Sequence, residues 1–479
     1  MSHHETDHPF AADLELGPDA MRRLVDRAME RIVEHVSSLA AQPVSDVSGA
    51  EQLARSLRAP LPERGRPLDE VLSLVFDRAL SKSYNTASPG YLAFIPGGGL
   101  FQTAVADLIS ASVNRYSGVW IAAPGLVAIE TNVLTWLREL VGLPETGTGL
   151  LTSGGSLASL IALVTARTER LGESFADGRI YLSDQIHHCV PKAARIAGFP
   201  AASLRPVPTD GALRMRPDAL ARAIEEDQSA GARPFLVVAS AGTANTGAVD
   251  DLAALADVCD RHGLWLHVDA AYGGFFLLTE RGRAVLRGIG RADSIVLDPH
   301  KGLFLPYGSG CLLVRDQGAL RRAHGVTGDY MPPMQESAER VDFCDLSPEL
   351  SRPWRGLSVW LPLMLHGVST FRRYLDEKLD LARMAHERLA ARDDVEIVAP
   401  PSLSLFAFRV RRPGLAEEAE NSLNRRVLDA VNRRQRVFLT GTTLGGRFVL
   451  RICVLSFRTH RERLEMALSD IDAAIASVS

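Results

Sequence analysis

Residues 294–302, Ser294-Ile295-Val296-Leu297-Asp298-Pro299-His300-Lys301-Gly302, read as a short buried strand that delivers an acid, a histidine and a lysine at its exit. A lone loop lysine is ordinarily a solvated surface group. This one directly follows an apolar run, in a chain whose lysines stand only at 82, 192, 301 and 378. Lysine is the side chain that forms imines with carbonyl cofactors and substrates. Similar apolar runs at 149–151, 179–182, 235–239, 264–268 and 310–314 alternate with helical stretches. That alternation predicts an α/β fold with a mostly parallel sheet and helices on both faces. Ligands of such sheets sit at the carboxyl ends of the strands, so the residues just past each run carry the functional reading.

Three other exits bear on that reading. Leu151-Thr152-Ser153-Gly154-Gly155-Ser156 leads straight into a helix over 156–171. A strand, a Gly/Ser turn and a helix start make an anion site, because unpaired N–H groups and the positive end of the helix dipole face the ligand. The pattern is neither GxGxxG nor a P-loop, which disfavours a dinucleotide or a nucleoside triphosphate, and a plain helix cap reads equally well. In Leu266-His267-Val268-Asp269-Ala270-Ala271-Tyr272, strand alternation puts His267, Asp269 and Ala271 on one face. A buried acid there needs a cation or donors, and either a protonated pyridine nitrogen or a structural salt bridge would serve. Asp184-Gln185-Ile186-His187-His188 offers an imidazole that could lie flat on a heteroaromatic ring. A core histidine or a metal pair are the alternatives. Adjacent histidines are poorly placed to share one metal and no carboxylate cluster accompanies them, so no metal is expected.

The flanks complete the organisation. Residues 18–40 and 68–82 read as helices on a piece too small for its own core, which should pack on something else, such as a second subunit. A helix over 123–142 shows Ile129, Val133, Trp136, Leu137 and Leu140 on one face. Beyond Pro353 a long helix towards Arg392, strands near 403–409 and 447–455 and a closing helix from Arg461 outline a small α+β domain. The expected division is 1–85, an N-terminal helical segment; 86–352, a large α/β domain; and 353–479, the small domain.

The net charge of −4 excludes the basic footprint of a nucleic-acid partner. No apolar run reaches the ~20 residues of a membrane helix. Cysteines 189, 259, 311, 344 and 453 are scattered without a CxxC pair, which fits a reducing cytoplasm rather than a disulfide framework or zinc site. The first ten residues, with His3, His4 and His8, show no secretory pattern and read as a solvated tail.

Together the segments HVDAAYGG (267–274), DPHKG (298–302), SDQIHHCV (183–190), SPGYLAFIPGG (88–98) and WIAAPGLVAIE (120–130) resemble the pyridoxal 5′-phosphate-dependent group II amino-acid decarboxylases, from about Ser88 to the C-terminus. The resemblance implies the aspartate-aminotransferase-like fold (fold type I), pyridoxal 5′-phosphate as cofactor, an amino-acid substrate and a homodimer. It assigns Lys301 as the Schiff-base lysine, Asp269 as the partner of the pyridine nitrogen and His187 as the imidazole stacked on the ring. Ala271 lies beneath that ring, Gly154, Gly155 and Ser156 form the phosphate turn, and Thr243 sits in a flanking loop. His300 and Lys301 are candidates for proton transfer. Tyr330, in a Gly- and Pro-rich stretch read as a mobile loop, matches the tyrosine that returns a proton to Cα.

Two departures stand out. Asp298 replaces the Asn that many members carry three residues before the lysine, an anion near the phosphate that would repel it unless a water or cation intervenes. Asn114-Arg115-Tyr116 and Pro96-Gly97-Gly98 match no specificity pattern, although Arg115 hints at an acidic substrate group. The implied reaction is decarboxylation of an L-amino acid to its amine. Carbon–carbon cleavage, transamination or aldehyde-forming oxidation on the same fold are the rivals, and a catalytically silent binding protein is a remote one.

Overall fold

The computed structural model describes residues 14–325 and 340–478. Its central sheet contains β1 (Thr148–Thr152), β2 (Gly178–Ser183), β3 (Leu204–Val207), β4 (Arg233–Ser240), β5 (Trp265–Asp269), β6 (Ser294–Leu297) and β7 (Gly310–Val314), in the order β1-β7-β6-β5-β4-β2-β3. The pairs from β3 through β2, β4 and β5 to β6 are parallel, while β7 runs antiparallel to both β6 and β1. Every residue of β6 and β7 is buried, as expected where helices cover both sheet faces and the strands read as unbroken apolar runs. The strand missing from the sequence reading is β3. It is a four-residue edge strand containing Pro206, which cannot donate to a ladder and so hides the strand signal.

A second sheet is antiparallel throughout: β8 (Val395–Ala399), β9 (Leu405–Val410), β10 (Thr440–Leu444) and β11 (Arg447–Cys453), ordered β10-β11-β9-β8. The apolar β9 and β11 are the strands expected from sequence. The half-exposed β8 and β10 and the polar helix Glu417–Asn432 were not legible. The long helix Gly356–Ala390 breaks at Gly367, whose φ of 67° and ψ of 152° no helix accommodates.

The chain divides into two compact units. One comprises Met1–Tyr91 with Arg426–Leu439 and Arg458–Ser479; the other, Leu92–Arg425 with Thr440–Phe457, contains both sheets. Within the first unit, helix Pro18–Ser37 has no buried residue and meets the segment after it through surface pairs such as Arg27–Asp69 at 2.8 Å, contacts that contribute little individually. Its Met21, Val25 and Val33 are 45%, 41% and 54% exposed.

Helix Pro124–Val141, ended by Gly142 in the left-handed region, buries Val127, Glu130, Val133, Leu134, Leu137 and Val141. The expected face needs correcting here. Trp136 is 37% exposed and Ile129 and Leu140 are only half-buried, because the apolar stripe is rotated by about one position. The same face carries Glu130, fully buried and paired with the equally buried Arg352. Glu130 also accepts from the Gly356 N–H at 3.1 Å, and Arg352 donates to the Leu151 carbonyl at 3.3 Å, immediately before the turn after β1. Glu130→Ala would strand the guanidinium in a dry interior. We expect a loss of about 3–5 kcal/mol of unfolding free energy, measured by denaturant titration; a loss below 1 kcal/mol would contradict this role for the pair.

Candidate active site

A cavity of about 380 Å³ opens where the exits of β1, β2, β4, β5 and β6 converge. Gly154, Gly155, Ser156, His187, Thr243, Asp269, Ala271, Asp298, His300 and Lys301 all line it, although the sequence spreads them over about 150 residues. Tyr330 lies outside the described residues.

The turn after β1 comes first. Gly154 has φ 152° and ψ 173°, a conformation that residues with a Cβ rarely adopt, and helix Gly155–Leu171 starts directly after it. A Cβ on Gly155 would sit 3.0 Å from Asp298 Oδ2, so the turn needs glycine to lie against the β6 exit. The first N–H groups of that helix have no partners within it, and Gly155, Ser156 and Leu157 line the cavity, which suits an anion.

At the β6 exit, Lys301 Nζ lies 2.9 Å from Asp298 Oδ2, and His300 Nε2 lies 3.6 Å from the same oxygen. Burial by itself disfavours the Lys301 ammonium, but the Asp298 and Asp269 carboxylates outweigh it and hold the pKa above the ordinary lysine value. His300 Nδ1 donates to the Ser309 carbonyl, leaving Nε2 towards the acid. Burial pushes its imidazole down, with Asp298 opposing. Asp298 is 2% exposed and its Oδ1 has no hydrogen-bond partner among the described residues.

Asp269 ends β5, in register with Ser240 of β4 and Val296 of β6, and accepts from the Ala271 N–H at 3.2 Å. The strand stops at Asp269, so Ala271 enters the cavity from the following turn rather than as the next residue of a shared strand face, which corrects the sequence reading. His267 does share that face but lies deeper. Its Nδ1 is 2.7 Å from Ser294 Oγ, and burial drops its pKa to about 4, so it is a neutral core group outside the cavity lining.

His187 follows β2. Its Nδ1 accepts from the Cys189 N–H at 3.3 Å, and its ring lies 4.1 Å from that of His188. Burial lowers its pKa, with Asp269 opposing and His188 and Lys301 adding to the fall, which keeps the ring neutral and able to stack on an aromatic plane. Thr243 is buried, with its hydroxyl 2.8 Å from that of Thr246. Among the described residues, no group of three or more His, Cys, Asp or Glu side chains is arranged to hold a metal. The five cysteines are free and buried.

Sequence reasoning missed Ile95, Cys189, Ser240, Tyr307 and Gly308, which also line the cavity. Ser240 ends β4 and falls under the strand-exit rule. Tyr307 and Gly308 precede β7, whose antiparallel direction brings its beginning rather than its end to the site. Ile95 belongs to the loop whose Pro96-Gly97-Gly98 matched no pattern. A Cβ on Gly97 would meet the His300 carbonyl oxygen at 2.0 Å, so this loop packs directly on the lysine turn. Arg115 is exposed and outside the cavity lining.

The residues fit a phosphorylated aromatic aldehyde. A glycine cradle under a helix start suits the phosphate, a buried lysine suits the aldehyde, a strand-end acid suits a ring nitrogen, and a flat neutral imidazole suits the ring. The family model described as the pyridoxal-dependent decarboxylase conserved domain matches residues 51–411. An aromatic-L-amino-acid decarboxylase of Bacillus atrophaeus is 35% identical over 98% of this chain and 98% of its own length. A phenylacetaldehyde synthase of Petunia hybrida is 28% identical over 94% of this chain and 93% of its own. The solved structure of Oryza sativa TDC with PLP and tryptamine superposes with a TM-score of 0.92 at 29% identity, covering 96% of this chain and 99% of that one.

Proposed function

The chain belongs to the pyridoxal-dependent decarboxylases and is an amino-acid decarboxylase using pyridoxal 5′-phosphate; from that premise we propose that it converts an aromatic L-amino acid to its amine and carbon dioxide, with the roles that follow. The observation that carries this reading is the convergence of Lys301, Asp269, His187 and the Gly154–Ser156 turn on one cavity.

When bound, the cofactor supplies an electron-accepting ring for the electrons of the Cα–carboxylate bond. Lys301 is the amine that holds the aldehyde carbon. Asp269 keeps a proton on the ring nitrogen, since an opposite charge nearby favours the charged form. His187 covers one ring face, with Ala271 and Thr243 bounding the rest. The Gly154–Ser156 turn holds the phosphate through the N–H groups of Gly155 and Ser156, while the Gly154 N–H donates to Thr152 Oγ1 at 3.3 Å and fixes the turn. His300, with Nε2 directed at Asp298, handles protons beside Lys301. Ile95 and Tyr307 give the substrate an apolar and aromatic wall, and the aromatic substrate of the Bacillus relative supports the same class.

The exposed Met21, Val25 and Val33 in the first unit support a homodimer, and the five unpaired cysteines fit a cytoplasmic setting. Among the described residues no helix is long and apolar enough to cross a membrane.

The test is carbon dioxide and amine release over a panel of L-amino acids. We expect kcat/KM for tryptophan, tyrosine or phenylalanine to exceed that for glutamate by about 10²-fold or more, since an unpaired carboxylate would have to enter an apolar wall. A preference for glutamate would overturn the substrate class.

Tyr330 is the proposed proton donor to Cα. Tyr330→Phe removes the proton and keeps the ring, so amine formation should fall by about 10²-fold while aldehyde rises in the presence of oxygen, read by product analysis. An unchanged amine rate would assign the proton to another group.

A further inference from the structure

Asp298 stands where an acid ought to hinder the phosphate. Its carboxylate is 2% exposed and lies against the glycine turn, 3.0 Å and 3.3 Å from where a Cβ on Gly155 would be. One oxygen, Oδ2, faces Lys301 Nζ at 2.9 Å and His300 Nε2 at 3.6 Å; the other, Oδ1, is buried without a partner among the described residues. The titratable groups around it from other elements are Asp269 at the end of β5, which shares Lys301 with it, and the neutral imidazole of His187 after β2. The nearby thiols Cys189 and Cys311 are kept neutral by burial. Among the described residues, Lys301 alone supplies a full positive charge at bonding distance, and Lys301 must give that charge up to react with an aldehyde.

We propose that Asp298 takes the proton that Lys301 sheds and, as a neutral carboxylic acid, donates a hydrogen bond to the cofactor phosphate. This rests on the decarboxylase reading above and assigns Asp298 a role within that site. The balance is complete without a further reactant. The Lys301 ammonium passes one proton to the Asp298 carboxylate. The freed nitrogen lone pair then attacks the aldehyde carbon, and the carbonyl oxygen leaves as water with the two remaining nitrogen protons. The site thus gains a phosphate without retaining a carboxylate beside it. A buried acid next to an arriving anion is driven towards its neutral form, and a neutral carboxyl offers an O–H where an ionised one only accepts.

The test is an infrared difference spectrum of wild-type holoenzyme minus apoenzyme, paired with cofactor titrations of wild type, Asp298→Asn and Asp298→Ala. A protonated-carboxyl band should appear when wild type is loaded and be missing from Asp298→Asn. The asparagine variant, whose amide donates as the acid does, should bind the cofactor within about threefold of wild type or more tightly. The alanine variant, with no donor, should bind about tenfold or more weakly. Absence of the band, equal binding by the alanine variant, or loss of binding on adding a divalent-cation chelator would each overturn the proposal. Failure of the parent reading is told apart from these by a wild type that forms no borohydride-reducible adduct with pyridoxal 5′-phosphate at all.

Discussion

Lys301→Ala is expected to lose decarboxylation by about 10³-fold or more and to lose any borohydride-reducible adduct. Proton transfer by a positioned group is worth about 10²–10⁴-fold by itself, and this variant also loses the covalent hold on the cofactor. Among the described residues no other lysine lines the cavity. Lys192 lies on the helix Cys189–Ile196, Lys82 is tied to Asp46 at 2.6 Å, and Lys378 is buried against Glu377. Removing Lys301 leaves Asp298 buried without its cation in the apoenzyme, so a fall in the apoenzyme's melting temperature should accompany the loss. Lys301→Gln, which can still donate to Asp298, should recover the melting temperature but not the activity. Recovery of activity in the glutamine variant would show that Lys301 serves only as a hydrogen-bond donor to Asp298.

Asp269→Asn is expected to retain cofactor and to lose about 10²–10³-fold in kcat, the usual cost of one preorganised electrostatic partner. An amide fills the same place at the end of β5 and keeps the contact with the Ala271 N–H only weakly changed, but it cannot hold a proton on a ring nitrogen. Because Asp269 also supports the charge on Lys301, the variant should require a lower pH to keep that lysine protonated in the apoenzyme. A kcat within threefold of wild type would remove Asp269 from the account.

The fold was legible where burial is two-sided. β6, β7 and most of β4 are uninterrupted apolar runs, and the exits of β6 and β4 carried Asp298, Lys301 and the loop to Thr243. It was not legible where an element is short, edge-bound or half-wet, like β3 with its proline and the polar β10, or where the buried face is partly polar, as in the helix Glu417–Asn432, which buries Glu420, Asn421 and Asn424 beside Leu423, Val427 and Val431. The site followed the same logic. A rule that looks just past each strand finds the residues of parallel strands, yet it cannot find Tyr307 and Gly308, because nothing in Gly310–Val314 announces that β7 runs the other way. Ile95 was hidden because its importance comes from Gly97 packing on the His300 carbonyl, a contact between segments about 200 residues apart. The family resemblance supplied the roles, and ten candidate residues, the departing Asp298 among them, line one cavity.

The most direct test of the central claim is to reduce the wild-type holoenzyme with borohydride, digest it and map the modified lysine by mass spectrometry. The account predicts one pyridoxyl group, on the peptide containing Lys301. A group carried instead by Lys82, Lys192 or Lys378, or a reduced protein with no modified lysine, would contradict it.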